Sequence, residues 1–265
     1  MVQVKAIVLR AAGINCDLET EYALTLAGAT AERVHINRMI ATPSLLDEAQ
    51  ILVVPGGFSY GDDVAAGKIL ANQVMHHLCD PLFRFVERGK LILGICNGFQ
   101  VLIKTGLVPG LRTEGLAATE FPATLTDNDC GRFQDRWVYL QPGTDRCVFI
   151  EPGRRIYLPM AHGEGKIVAR DEATLARLRD EGYVAFRYVD AEGRRGGFPI
   201  NPNGSQDDIA ALTDATGRVL GMMPHPERFV RITQHPAWTR LKEREGFGDG
   251  MTIFNNAVRY VRENL

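Results

Sequence analysis

Of the five cysteines in the chain, at positions 16, 79, 96, 130 and 147, one sits where it could act as a nucleophile. Gly94-Ile95-Cys96-Asn97-Gly98 follows the apolar run Leu91-Ile92-Leu93 and precedes a helix-like stretch, Phe99 to Lys104, that ends at Gly106. A cysteine between two glycines at a strand-to-helix turn is the thiol form of the nucleophile elbow. The turn is so sharp that side chains at the glycine positions would collide with neighbouring elements, and it holds the nucleophile in a strained conformation. The following helix aims its free N–H groups and positive dipole end at the sulfur, which favours thiolate. Free cysteine is otherwise a small core residue. The flanking glycines, strand and helix together favour the nucleophile.

A thiolate needs a base, and the base needs a group to orient it. Six histidines are available. His35 and the adjacent His76-His77 have no local carboxylate, and His235 precedes Pro236 in a loop-like stretch. Two His-x-Glu pairs remain, His162-Gly163-Glu164 and His225-Pro226-Glu227. In an extended segment residues two apart face the same side, so either glutamate could reach its imidazole. Pro226 fixes an extended geometry, whereas Gly163 leaves it loose. His225 also follows the strand-like Val219 to Met223, which places it at a strand's carboxyl end, where open α/β sheets hold their sites. His225 with Glu227 is therefore the expected catalytic pair. His162 and Glu164 are expected in a flexible loop on the partner or acceptor side. The Asn97 N–H and the loop Pro55-Gly56-Gly57 are candidate donors to a tetrahedral oxyanion. Two consecutive glycines predict a loop with no fixed conformation of its own.

The elements that would position these residues are of two kinds. Val4 to Leu9, Ile51 to Val54 and Leu91 to Leu93 are short apolar strands. Between them lie helix patterns at Leu18 to Ala27, with Asp17 as a possible cap, and at Ile69 to Phe85, which contains Pro81. Near-continuous apolar strands alternating with helices define a doubly wound, mostly parallel sheet. From residue 120 to 189 the pattern changes to strand candidates at Trp137 to Leu140, Arg155 to Leu158 and Val184 to Val189, with Asn and Pro-Gly turns between them. This predicts an added antiparallel layer. Thr174 to Arg179 reads as a short helix, Asn201 to Ser205 as a loop, and Thr252 to Glu263 as the last helix. No repeat or long linker appears, so a single α/β domain over 1–265 is expected, with 229–265 as a C-terminal extension.

Composition narrows the function classes. With 30 basic and 32 acidic side chains among 265 residues the formal charge is -2, which argues against a general nucleic-acid binder. No run approaches the roughly 20 apolar residues of a membrane span. Residues 1–9 lack a basic leader and a cleavage site, so no signal peptide is expected there. An odd number of cysteines without CxxC spacing fits neither a disulfide framework nor a structural zinc site. A reducing, cytoplasmic setting and no metal follow as expectations.

Together the motifs resemble the triad-type, or class I, glutamine amidotransferases, a flavodoxin-like α/β family that cleaves glutamine to glutamate and ammonia. The matching segments are Pro55-Gly56-Gly57, Gly94-Ile95-Cys96-Asn97-Gly98-Phe99-Gln100 and Pro224-His225-Pro226-Glu227. Asn15-Cys16-Asp17, Gly56 to Asp62, Ala161 to Gly165, Asn201 to Ser205 and Gly221 to Arg228 are similar to the branch that serves purine biosynthesis. The resemblance implies that Cys96 forms a γ-glutamyl thioester, His225 shuttles the proton and Glu227 orients it. It implies oxyanion N–H groups from Gly57 and Asn97, and Gln100 helping to hold glutamine. It also implies delivery of ammonia to an ATP-dependent synthetase large subunit carrying formylglycinamide ribonucleotide, in some versions with a small bridging subunit. ATP and Mg would then belong to that partner, and this sequence has no G-x-x-x-x-G-K-[ST] loop. Many relatives carry an aromatic and an arginine after the Gly-Asp pair, where this chain reads Asp63-Val64-Ala65-Ala66-Gly67. The rival classes are a flavodoxin-like cysteine hydrolase, a glutaminase serving another acceptor, and a non-catalytic interaction subunit. The first usually has a histidine directly after its cysteine, where Asn97 stands here.

Overall fold

The structure is a computed structural model and describes residues 3–110 and 121–265. Residue 120, where the second half begins by sequence pattern, lies outside the described residues. The first half runs β1 (Lys5–Arg10), α1 (Asp17–Leu26), β2 (Thr30–His35), α2 (Ile36–Ala41), α3 (Leu45–Glu48), β3 (Ile51–Val54), α4 (Lys68–Glu87), β4 (Leu91–Ile95) and α5 (Asn97–Lys104). The second half runs β5 (Ala123–Asp127), β6 (Gln134–Pro142), β7 (Ile156–His162), β8 (Glu164–Ala169), α6 (Glu172–Asp180), β9 (Val184–Val189), β10 (Ile209–Thr213), β11 (Val219–Met222) and α7 (Met251–Asn264).

Nine strands form one sheet in the order β2-β1-β3-β4-β11-β10-β9-β6-β7. The first five in that order pair in parallel, and the remaining pairings are antiparallel. The antiparallel strands thus mostly prolong the parallel sheet, and β5 with β8 forms a separate two-stranded ribbon. Every residue of β3, β4 and β11 is buried, as expected for strands covered on both faces. The late strand β11 lies beside β4, with Met222 opposite Ile95. That one pairing brings the chain after Met222 to the edge where the chain after Ile95 turns.

One local expectation is corrected. Asp17 does not cap α1 but begins it, with Cys16 at the N-cap. Its carboxylate instead pairs with Arg10 Nε at 2.8 Å and with Arg33 Nη1 at 3.3 Å. The helix predicted through Pro81 is continuous in α4. Leu70, Val74, Leu78, Leu82 and Phe85 form one buried stripe across it, and their packing outweighs the missing backbone N–H.

The segment after Arg228 is built into the same core. Phe229 and Val230 are buried, and α7 buries Met251, Ile253, Phe254, Ala257, Val258 and Val261. The Phe229 and His235 rings pack on Trp137, at 5.0 and 5.7 Å between centroids. Asn256 Nδ2 donates to the Phe149 carbonyl at 3.0 Å. None of the described helices is long and apolar enough to cross a membrane.

Candidate active site

Cys96 is the hinge between β4 and α5, with φ 52° and ψ -108°. A non-glycine residue with positive φ is strained and is held there only by its surroundings. Both flanking glycines are required by space. A Cβ on Gly98 would lie 1.8 Å from the Val54 carbonyl oxygen, and one on Gly94 would lie 2.5 Å from Leu102 Cδ1. The Cys96 N–H donates to Met222 O at 2.7 Å, and its own carbonyl accepts from Gln100 N at 3.1 Å. The side chain is 6% exposed, with Sγ 3.6 Å from the Ala161 carbonyl oxygen.

His225 and Glu227 are 2% and 1% exposed, and Nδ1 meets Oε1 at 2.6 Å. Their approach differs from the extended geometry that the sequence predicts. Only His225 is extended, and Pro226–Arg228 turns as a 3-10 helix, with Arg228 N donating to His225 O at 3.3 Å. The glutamate returns to its histidine around that turn. The His225 N–H is pinned to Pro159 O at 2.8 Å. Burial opposes charge on this imidazole, but the negative charge of Glu227, followed by that of Cys96, outweighs it. The imidazole is therefore raised well above its ordinary value and retains a proton.

Cys16 is the residue that motif reasoning missed. It is buried against the same histidine, and burial pushes its thiol up to about 11. Its Sγ donates to Asn15 Oδ1 at 3.2 Å and accepts from Arg228 Nη2 at 3.1 Å. Arg228 is held in turn by Glu19, at 2.9 Å. Cys16, His225 and Glu227 have donor atoms within 4.8 Å of one another. That set does not fit a metal as it stands. Two ligands on one tetrahedral zinc, at bonds of about 2.0–2.1 Å, lie roughly 3.3 Å apart, whereas Nδ1 and Oε1 share a hydrogen bond at 2.6 Å. The Arg228 guanidinium also occupies the sulfur. Only the Asn15-Cys16-Asp17 resemblance pointed to this position.

The loop after β3 is fixed, contrary to the expectation from its glycines. Gly57 has φ +144°, and a Cβ there would lie 2.7 Å from Gly13 O. A Cβ on Gly56 would lie 2.8 Å from His225 Cε1. Phe58 N donates to Gly13 O at 2.9 Å, Tyr60 N to Ala12 O at 2.7 Å, and Ser59 N to Asn97 Oδ1 at 3.1 Å. The glycines serve close approach, and contacts from distant segments supply the rigidity.

A cavity of about 130 Å³ opens over Cys96, with Gly57, Gln100 and Glu164 in its wall. That is room for roughly four waters or one small polar molecule. Gln100 braces the wall: its Oε1 accepts from Asn97 Nδ2 at 2.9 Å, and its Nε2 donates to Glu164 O. Asn97 Nδ2 also reaches Asp62 Oδ1 at 3.1 Å.

His162 and Glu164 are not in a loose loop. His162 ends β7, Glu164 begins β8, and both border the same cavity as Cys96. Asn128 explains the order. Its Nδ2 donates to the carbonyls of His162 at 2.8 Å and Arg132 at 2.9 Å. Its Oδ1 faces His162 Nδ1 at 3.1 Å and Gly165 N at 3.3 Å. Burial, reinforced by the positive charge of His225, lowers the His162 imidazole to about 3. The remaining histidines have other duties: His35 Nδ1 caps α2 through Asn37 N, His235 Nδ1 accepts from Ala237 N, and His76 and His77 are exposed on α4.

A strand-to-helix cysteine, a buried His–Glu pair just beyond the adjoining parallel strand and a glycine loop after the strand on the other side describe a glutamine amidotransferase. Residues 3–261 match the CobB/CobQ-like glutamine amidotransferase domain, and the chain belongs to that family. It is 48% identical to a phosphoribosylformylglycinamidine synthase subunit PurQ from Dehalococcoides mccartyi, over 99% of this chain and 100% of that protein. It is 40% identical to the PurQ subunit of Methanococcus maripaludis, over 98% of each. Among solved structures it is similar to PurLQS from Thermotoga maritima, with a TM-score of 0.72 and 30% identity, over 98% of this chain and 100% of that one.

Proposed function

We propose that this chain is the glutaminase component of a phosphoribosylformylglycinamidine synthase, supplying ammonia for the amidation of formylglycinamide ribonucleotide in purine biosynthesis. The observation that carries this reading is the convergence of Cys96 with the buried His225–Glu227 pair across β4 and β11. Support for the acceptor comes from the PurQ relatives, which match this chain over nearly its full length.

In this reading the Cys96 sulfur attacks the side-chain carbonyl carbon of glutamine, forming a C–S bond. The N–H groups of Gly57 and Asn97 hold the oxyanion, each contributing about 3–4 kcal/mol. His225 gives its proton to the departing nitrogen as the C–N bond breaks, releasing ammonia. It then takes a proton from water, which attacks the thioester and liberates glutamate and the thiol. Glu227 holds the ring in the orientation both steps need. Gln100 maintains the shape of the glutamine pocket through Asn97 and Glu164.

The partners in this reading are an ATP-dependent synthetase large subunit and a small bridging subunit, and support is the solved relative described as PurLQS. ATP and Mg²⁺ are assigned to the synthetase and none to this chain. A cytoplasmic place of action goes with that pathway. The test is co-purification with the synthetase, followed by product formation from glutamine and from ammonium. Synthesis from glutamine that requires Cys96 supports the proposal. A complex that uses ammonium alone overturns it.

A further inference from the structure

Two ring nitrogens near Cys96 are buried without a hydrogen-bond partner: Nε2 of His225, which belongs to the proposed catalytic pair, and Nε2 of His162, which the proposed reaction does not use. The chemical character of the second follows from its neighbours. Asn128 Nδ2 spends its two hydrogens on the carbonyls of His162 and Arg132. Oδ1 is therefore the atom facing His162 Nδ1, so Nδ1 must carry the ring hydrogen. Nε2 is left as a bare lone pair. Leaving such an acceptor unpaired in a buried site is unfavourable unless a donor arrives during function.

We propose that His162 Nε2 is a binding site for the ammonia released at Cys96, accepting one N–H of the product before it leaves the cavity. This rests on the glutaminase reading given above. The ring borders the cavity over Cys96, and the preceding residue's carbonyl lies 3.6 Å from the Cys96 sulfur. Ammonia has three N–H donors and one lone pair, so a bare imidazole nitrogen matches its donors. The product must also stay neutral, because only the uncharged form keeps the lone pair that attacks an acceptor. An ordinary histidine carries a proton over part of the physiological range and would hand it to ammonia. Burial and the neighbouring His225 keep His162 unprotonated far below neutrality, so it has no proton to give. Two histidines at one site thus hold opposite states: His225 gives a proton to nitrogen, and His162 takes a hydrogen bond from it.

The experiment uses the chain assembled with its synthetase and measures glutamate formed per molecule of amidated product. His162→Phe keeps the ring and removes the acceptor, whereas His162→Gln restores an acceptor oxygen. Loss of one buried hydrogen bond corresponds to about tenfold. His162→Phe is therefore expected to raise glutamate per product by about that factor, with His162→Gln closer to wild type. Co-purification of the variant with the synthetase reports whether the complex has assembled. An unchanged ratio in an assembled Phe variant overturns the proposal, as does a ratio raised equally in His162→Gln. A second measurement needs no variant to fold: ¹⁵N-histidine NMR of the wild-type chain should show one ring as the Nδ1–H tautomer, unchanged between pH 5 and 8. If every ring titrates in that range, or the buried one is Nε2–H, the site does not exist. Failure of the parent reading looks different, because wild-type complex would then make no product from glutamine.

Discussion

The backbone N–H of Cys96 donates to the carbonyl of Met222 at 2.7 Å. This single rung fastens the Cys96 turn to the strand that leads into His225, which follows Met222 by three residues. The distance between thiol and imidazole is therefore set by sheet register, and loop conformation has little part in it. Sites on rigid elements hold their geometry best.

Cys96→Ala should abolish product formation from glutamine, while the assembled synthetase continues to use ammonium. Cys79→Ser and Cys130→Ser lie away from the cavity and should keep glutamine turnover. The check is parallel assay with the two nitrogen sources.

Glu227→Gln removes the negative charge that most strongly opposes the effect of burial on His225. The imidazole should then fall below its present raised value, and turnover should drop by about 10²–10⁴. In the wild type, loss of the His225 proton limits activity as pH rises through that raised value. The variant's alkaline limb should move to lower pH. A kcat profile with an unmoved limb would refute the assignment.

His162 also sets a pH dependence of stability. Its folded-state value, about 3, lies below the ordinary 6.5. The unfolded chain therefore binds a proton that the folded chain refuses, so stability is present above 6.5 and is lost as pH falls towards 3. The slope approaches about 1.4 kcal/mol per pH unit. His225 has the opposite sign, contributing below 6.5 and losing its contribution as pH rises through its raised value. Acid unfolding of His162→Phe should have a lower midpoint pH than wild type, as followed by circular dichroism.

Gly98→Ala should destabilise the fold by about 1–3 kcal/mol through overpacking against Val54. Gly57→Ala should cost about 10²–10³ in turnover, because the strained peptide there cannot keep its N–H in place. Gly197→Ala meets nothing within 4 Å and is the neutral control. Thermal melts and glutamine assays on the three variants separate packing from chemistry.

Legibility in the sequence followed the range of the interactions. The elbow at Cys96 and the strands flanking it were readable, because apolar runs and glycine spacing are local signals. The choice of His225 over His162 used strand polarity and Pro226, although the contact is made around a turn. The order of His162–Glu164 was not readable, because it depends on Asn128 in another strand's turn. Cys16 was hidden for the same reason: its partner Arg228 lies at the far end of the chain. The rigid Gly56–Gly57 loop misled because glycine signals freedom, whereas here it signals crowding. The tail after Arg228 carried a clear helix pattern but no sign that Phe229 and His235 cover Trp137.

The placement of β11 has a consequence for biosynthesis. A ribosome adds β4 and the cysteine turn early, and the strand that completes the neighbouring rung more than a hundred residues later. Until it emerges, Cys96 on the nascent chain has neither His225 nor Glu227 beside it, and in the proposed reaction such a chain hydrolyses no glutamine. The same delay leaves Leu91 to Ile95 as an uncovered apolar border, the kind of edge that recruits foreign strands. Translation that stalls before Val219 should therefore yield an inert and aggregation-prone fragment, and the segment from Val219 onward acts as both cap and ignition.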